Sequence, residues 1–496
     1  MKRTAPLAMD SSAFRSAGHR LIDHLADLLA SIPNRKVTPG ESPSTVRAAL
    51  KLDGRLPEEG AEPAALLEET AKLLFDHSLF NAHPRFFGYI TSSPAPIGML
   101  GDLLAAAVNA NAGAWILSPA ATEIEVQTVQ WIAELIGYPR GSGGLLVSGG
   151  NMANLAAFFA ARTAKGSRSA GAEPAMRPGP QLRVYCSSET HTWIEKAADL
   201  SGLGAHAIRW IPVDRDLAMD VGALRRQVLS DRNDGDLPFL VVGTAGSVST
   251  GVVDPLGEMA ALCRELDLWF HVDGAYGGFA AAVPEAPDDL RALSEADSVA
   301  VDPHKWLYAP LEAGCVLLRR PEHLRAAFAH HPPYYRFDEE MTNFVEYGPQ
   351  NSRGFRALKV WLGLRHAGAS GYRRMISDDI RLAGVLGDAL RRHPALELLT
   401  QALSIVTFRY LPPELARRAH EPTVERYLNA LNEALVDRIQ WGGDLFLSNA
   451  VVRGRYALRA CIVNFRTERD DVEAVPEIVA RVGETLHETM REAGVG

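Results

Sequence analysis

The run Leu145-Leu146-Val147-Ser148-Gly149-Gly150-Asn151, continuing to Arg162, decides the fold. Three apolar residues read as a short buried strand. Two glycines then make a tight turn, and Asn151–Arg162, rich in Ala, Leu and Phe, reads as a helix. A strand that feeds directly into a helix is half of a βαβ unit. The same alternation recurs downstream. Strands are predicted at Arg183–Cys186, Phe239–Gly243, Trp269–Val272, Ser298–Val301 and Cys315–Arg319. Helices are predicted at Thr192–Leu200 and Pro255–Leu266, the latter with Asp254 as its cap and Pro255 in its first turn. Short apolar strands between helices imply an α/β fold: a mainly parallel sheet covered by helices on both faces.

Outward from this centre the pattern changes. Thr122–Ile136 is helical, and residues 163–181, rich in Ala, Gly, Pro, Ser and Arg, read as a surface loop. Phe14–Ile32 and Ala64–Phe80 carry apolar residues at helical spacing with little strand signal before residue 95. They form an arm that must pack on something else, such as a partner subunit. After Lys359 a long helical stretch leads to strands at Ser404–Phe408 and Leu458–Phe465 and a final helix, a smaller α+β domain. The expected division is 1–95 helical arm, 96–375 large α/β domain and 376–496 small domain.

The chain has 496 residues, 47% of them hydrophobic, with 51 Lys+Arg against 60 Asp+Glu and a net charge of −9. That is ordinary globular composition and excludes collagen, disorder and a disulfide scaffold. The acidic balance disfavours nucleic acid, which requires a basic face. Cys186, Cys263, Cys315 and Cys461 lie far apart with no CxxC pair, as expected of reduced core thiols. No metal-ligand spacing stands out. The apolar stretch after Lys2 and Arg3 is too short for a signal peptide, and the tract Gly98–Leu117 is broken by Asp102, Asn109 and Asn111. A cytoplasmic protein with no membrane partner is expected.

Ligands of open α/β sheets sit beyond the carboxyl ends of the strands. Those ends deliver Ser148-Gly149-Gly150-Asn151, Ser187 to His191, Thr244 to Ser247, Asp273-Gly274-Ala275 and Asp302-Pro303-His304-Lys305. Lys305, amid apolar residues, is a candidate to form a Schiff base with an aldehyde. Asp273 is able to keep a pyridine nitrogen protonated, as an electron-sink cofactor requires. Ala275 is small enough for a flat ring to approach. His191 can stack on a heteroaromatic ring and handle a proton. The Gly149-Gly150-Asn151 helix start favours a phosphate. Each feature alone has a bland reading as a cap, turn or surface charge. Together they supply every group needed to hold pyridoxal 5'-phosphate.

Ala296-Asp297-Ser298 through Asp302-Pro303-His304-Lys305-Trp306-Leu307 resembles the lysine motif of the group II pyridoxal-phosphate decarboxylases, which act on aromatic amino acids, tyrosine, histidine and glutamate. The segment His271-Val272-Asp273-Gly274-Ala275-Tyr276-Gly277-Gly278 is similar to that family's aspartate motif. Thr244-Ala245-Gly246-Ser247, Glu189-Thr190-His191, His83-Pro84-Arg85-Phe86-Phe87-Gly88-Tyr89 and Leu458–Phe465 match as well, in order, from about Phe14 to near the end of the chain. The resemblance implies the fold-type-I (aspartate aminotransferase-like) architecture and a homodimer with its active site at the subunit boundary. It implies a Lys305 aldimine, Asp273 on the pyridine nitrogen, and His191 and Ala275 on the two ring faces. Gly150 and Asn151 would hold the phosphate, with Ser247 and His304 also at the cofactor. Tyr89, Ser92 and Trp115 would line the substrate pocket, whose shape Gly113 and Ile90 would influence. The resemblance implies loss of CO2 from an aromatic L-amino acid through a quinonoid intermediate to the amine.

Two departures stand out. The family's Asn before Pro-His-Lys is Asp302 here, expected to point away from the phosphate and cap backbone N–H groups. The proton-donating Tyr of the family's mobile loop aligns with Phe344, which has no proton to give. Either Tyr347, Tyr334 or Tyr335 fills that role, or the chain is an aldehyde synthase that decarboxylates and oxidatively deaminates to an aldehyde, ammonia and hydrogen peroxide.

Overall fold

The computed structural model describes residues 5–51, 54–166, 180–330 and 340–492. The arm holds α1 (Ser11–Ser31), α2 (Pro43–Leu50) and α3 (Pro63–His77). Asp10 caps α1 by accepting the Ser12 and Ala13 N–H groups, and prolines open α2 and α3. Of α1 and α3 only Ala17 and Ala71 are buried, while Phe14, Leu66 and Leu74 are exposed. Two helices follow, α4 (Pro96–Val108) and α5 (Pro119–Leu135).

The central domain then runs β1 (Gly143–Val147), α6 (Gly150–Ala161), β2 (Leu182–Ser187), α7 (Trp193–Leu200), β3 (Ile208–Ile211), α8 (Val221–Asn233), β4 (Leu237–Thr244), α9 (Leu256–Glu265), β5 (Trp269–Asp273), β6 (Ser298–Val301), β7 (Gly314–Leu318) and α10 (Glu322–Phe328). The seven strands pair in the order β1-β7-β6-β5-β4-β2-β3. All pairings are parallel except those of β7, which runs antiparallel to β1 and β6. Alternation of strands and helices therefore gives the expected sheet, with one reversed strand. The reversal brings β7's first residue beside the glycine turn, where a methyl on Gly314 would lie 2.4 Å from the Gly149 backbone. The π-helical turn Arg162–Gly166 extends α6, and most of the predicted loop at 163–181 lies outside the described residues.

Helix α11 (Ala357–Arg392), broken at Gly368, leads to the small domain, so the expected boundary at 375/376 falls inside one helical stretch. There β8 (Leu396–Ala402), β9 (Ile405–Tyr410), β10 (Ser448–Val452) and β11 (Arg455–Cys461) form an antiparallel sheet in the order β10-β11-β9-β8. Helices α12 (Pro422–Gly442) and α14 (Val475–Glu492) pack with it, and α13 (Arg469–Glu473), against α11 and α14, adds Val472 to the same core. Phe87 is buried in this domain's core, and its carbonyl accepts the Cys461 N–H at 2.9 Å, so the end of the arm is stitched to the small domain.

Asp254 does not cap α9. Its carboxylate accepts the N–H groups of Met219 and Thr244, each at 2.8 Å, and burial pushes its pKa up to about 6. A buried acceptor serving the end of a strand satisfies two backbone donors that would otherwise lose water. All four cysteines are buried and unpaired. Among the described residues no helix is long and apolar enough to cross a membrane, and no cluster of His, Cys, Asp and Glu is arranged to hold a metal.

One buried ion pair ties α5, β1 and the approach to α11 together. Arg353 donates to Glu125 Oε1 at 2.5 Å and to the Leu146 carbonyl at 2.7 Å, while Glu125 Oε1 accepts the Leu146 N–H at 2.9 Å. Both side chains are at most 1% exposed. Removing one partner strands the other charge, so Glu125→Ala is predicted to destabilise the chain by about 3–5 kcal/mol in urea unfolding. Glu125→Gln, which keeps an acceptor, should cost clearly less. A loss under about 1 kcal/mol for the alanine variant would show that the pair is not structural.

Candidate active site

The carboxyl ends of β1, β4, β5 and β6 open into one cavity of about 430 Å³, lined among others by Gly149, Gly150, Asn151, His191, Thr244, Asp273, Ala275, Asp302, His304 and Lys305. That volume lies within the range of small-molecule sites. Sheet register levels its floor: Thr244 sits opposite Asp273, and Asp273 opposite Ala300, two residues before Asp302.

At one end the turn Ser148-Gly149-Gly150 enters α6. Gly149 takes φ 132°, a conformation open to glycine. The Gly149 carbonyl accepts the Met152 and Ala153 N–H groups, which leaves the N–H groups of Gly150 and Asn151 without a helical acceptor. A Cβ on Gly150 would lie 2.9 Å from Asp302 Oδ2 and 3.0 Å from Ala275 Cβ, so the absent side chain is what keeps this end open. The arrangement is an anion cradle at a helix N-terminus.

On the floor, Asp273 Oδ2 accepts the Trp193 indole N–H at 2.8 Å and Oδ1 accepts the Ala275 N–H at 3.1 Å. Trp193 opens α7, two residues after His191, and its ring meets His271 edge-on at 5.7 Å. His271 is wedged between Ser298 Oγ and Asn154 Oδ1, each at 2.8 Å, and burial lowers its pKa to about 4. A neutral imidazole thus braces α6 against β5 and β6. His191 keeps a face open to the cavity, and desolvation lowers its pKa from the ordinary value. Sequence reasoning missed Trp193, Asn154 and His271 as supports, because their partners lie 80, 117 and 27 residues away.

Lys305 Nζ is 2.9 Å from Asp302 Oδ2. The expectation that Asp302 points away to cap backbone groups is therefore corrected: the carboxylate faces the amine, and among the described residues its other basic neighbour is His304, with Nε2 at 3.7 Å. Its second oxygen, Oδ1, is buried with no hydrogen-bond partner. The lysine loop is held from three sides. Ser92 Oγ donates to the His304 carbonyl at 2.7 Å, and the Ala95 N–H donates to the Tyr308 carbonyl at 2.8 Å. From α11, Asp379 Oδ2 accepts the Trp306 indole N–H at 2.9 Å and the Tyr308 hydroxyl at 2.7 Å.

The remaining sequence candidates lie outside the cavity of this chain. Ser92 spends its hydroxyl on the lysine loop. Ser247 bonds Thr250 Oγ1 at 2.8 Å, and its neighbours Thr244, Gly246 and Val248 line the cavity instead. Tyr89 is exposed, with its carbonyl accepting from Arg459 at 2.7 Å, and the Trp115 indole donates to Glu123 at 2.8 Å. Ile90 packs against the central core. At Gly113 a Cβ would fall 2.2 Å from the Asn351 carbonyl oxygen, so this glycine serves a backbone contact rather than a wider pocket. Phe344 is 1% exposed in the core, with the Arg353 guanidinium 4.7 Å over its ring and Tyr347 edge-on at 5.8 Å. Tyr334 and Tyr335 lie outside the described residues.

Burial raises the Asp379 carboxyl from 3.8 to about 7. In the unfolded chain this acid ionises near its ordinary value, so between pH 4 and 7 the unfolded state binds fewer protons. Stability therefore falls as pH rises through that window and levels off above it. Asp379→Asn keeps an oxygen for Trp306 and Tyr308 but cannot ionise. Its stability relative to wild type should rise by up to roughly 4 kcal/mol from pH 4 to 7. Parallel pH profiles of the two proteins would contradict the assignment.

Residues 43–411 match the pyridoxal-dependent decarboxylase conserved domain. An aromatic-L-amino-acid decarboxylase of Bacillus atrophaeus is 34% identical over 471 residues, 94% of each chain. The Oryza sativa enzyme TDC, crystallised with PLP and tryptamine, superposes with a TM-score of 0.89 at 27% identity, covering 98% of this chain and 100% of its own. A 4-hydroxyphenylacetaldehyde synthase from Rhodiola rosea superposes with a TM-score of 0.85 at 27% identity, covering 96% and 99%. The strand-end lysine, the aspartate braced by an indole and the open helix start are thus placed in a chain that belongs, along its length, to the pyridoxal-dependent decarboxylase family.

Proposed function

We propose that this enzyme removes CO2 from an aromatic L-amino acid and releases the amine. The observation that carries the reading is the convergence of Lys305, Asp273, His191 and the Gly150–Asn151 helix start on one cavity. The residues fit pyridoxal 5'-phosphate: an anion cradle with two free N–H groups at one end, a carboxylate at the floor and a primary amine beside them. When bound, that cofactor supplies an electron sink for the charge left at Cα as CO2 departs.

The chain's own residues do the rest. Lys305 would provide the amine that holds the cofactor's aldehyde carbon. The Gly150 and Asn151 N–H groups, aided by the α6 dipole, would receive its phosphate. Asp273, its carboxylate fixed by Trp193 and the Ala275 N–H, would keep the pyridine nitrogen protonated. His191 and Ala275 line the cavity where they would border the ring. Thr244 and Gly246 line the same cavity. The names of the Bacillus and rice relatives support an aromatic substrate.

A second reading, an aldehyde synthase, is favoured by the relative of that kind that shares the fold, while Phe344 itself is packed in the core outside the cavity. One assay separates the two. With pyridoxal phosphate bound, the protein should show the visible band of a lysine-bound cofactor, absent in Lys305→Ala. Incubation with aromatic amino acids should then give amine in step with CO2. Aldehyde with one equivalent of peroxide would transfer the conclusion to the synthase reading, and a wild-type protein with no band would end both.

The working form is proposed to be a cytoplasmic homodimer. Four unpaired buried thiols suit a reducing compartment. Leu100, Leu103, Leu104 and Val108 on α4, with Ile116 and Leu117, form a set of exposed apolar side chains larger than a solvated monomer needs. Sedimentation equilibrium should give twice the 53.8 kDa chain mass. Leu103→Asp with Leu104→Asp should shift it to monomer, and a monomeric wild type would refute the assembly.

A further inference from the structure

Asp302 sets this chain apart from its family's Asn at the same place, and its surroundings give the carboxylate a task. It is 2% exposed, at the carboxyl end of β6. One oxygen lies 2.9 Å from Lys305 Nζ; the other has no hydrogen-bond partner. The same oxygen that meets Lys305 would be 2.9 Å from a Cβ on Gly150, so the carboxylate also borders the anion cradle. The other groups around it are His304, whose Nε2 is 3.7 Å away and whose Nδ1 is 2.6 Å from the Ala313 carbonyl, His191 and Asp273 along the cavity wall, and the Cys315 thiol of β7 behind. Lys305 is the closest of these, and its ammonium must lose a proton before it can act as a nucleophile.

We propose that Asp302 is the proton acceptor for Lys305 when the cofactor is captured. The inference rests on Lys305 being the cofactor-binding lysine. The ammonium passes one proton to Asp302 Oδ2, giving a neutral amine and a neutral carboxylic acid. The nitrogen lone pair forms the bond to the aldehyde carbon. The carbonyl oxygen leaves as water with the two hydrogens remaining on the amine. No proton is exchanged with solvent. The imine nitrogen would then take that proton back from Asp302 Oδ2, so a cation again faces the carboxylate and the site keeps its charge balance.

The probe is pyridoxal 5'-phosphate added to full-length protein stripped of cofactor, with the rate of appearance of the visible band followed from pH 6.5 to 8. Internal transfer makes the wild-type rate vary less than about twofold over that range. In Asp302→Asn and Asp302→Ser the amine must shed its proton to water, and the rate should rise about tenfold per pH unit. Equal pH slopes, or a tenfold-per-unit rise in wild type itself, would overturn the proposal. The last outcome is decisive even if neither variant folds. A wild-type band that fails to form, or one that survives Lys305→Ala, would refute the cofactor-lysine reading instead.

Discussion

Parallel register across β4, β5 and β6 is the constraint on which the site depends. Pairing Thr244 with Asp273 and Asp273 with Ala300 puts three strand ends on one level. In a parallel sheet with helices on both faces, those ends are the only edge at which several chain segments can converge without burying unpaired backbone. A slip of one residue would turn Asp273 off the floor and away from Trp193. Everything else at the site works by holding positions that the register has created.

Those holding contacts come from far along the chain. The lysine loop is strapped by Ser92 and Ala95 from the end of the arm and by Asp379 from α11. Tyr276, just past the aspartate, stacks on Trp306 at 4.9 Å and bonds Ser404 through its hydroxyl at 2.8 Å. The large sheet, the arm and the small domain therefore all bear on one amine. A buried acid such as Asp379 is an expensive group unless paired, and here two neutral donors satisfy one of its oxygens. Position, rather than stability, is what that cost secures.

Much of this was legible in the residues. A strand that ends in Gly-Gly before a helix, or in Asp-Gly-Ala or Asp-Pro-His-Lys, states its own place at the sheet edge, because period and turn chemistry are local. The cavity gathers those runs as expected. What the sequence hid were pairings over long separations and competing uses of the same side chain. Asp254 looks like a helix cap because Pro255 follows it, yet it serves Met219 and Thr244. Asp302 looks like a stray charge beside a phosphate, yet it meets Lys305 three residues on, across a tight turn. Gly113 looks like space for a substrate, yet it is the near approach of Asn351. Phe344 looks like a loop residue facing chemistry, yet its ring is packed under Arg353. Nothing local distinguishes these alternatives; packing decides each.

The central claim is that Lys305 is the point at which the cofactor is joined to the chain. Reduction of the pyridoxal-phosphate-loaded protein with borohydride, followed by peptide mass spectrometry, tests it most directly. The account predicts a single phosphopyridoxyl adduct, on the peptide that carries Lys305. An adduct on another lysine, or spread over surface lysines with Lys305 unmodified, would contradict it.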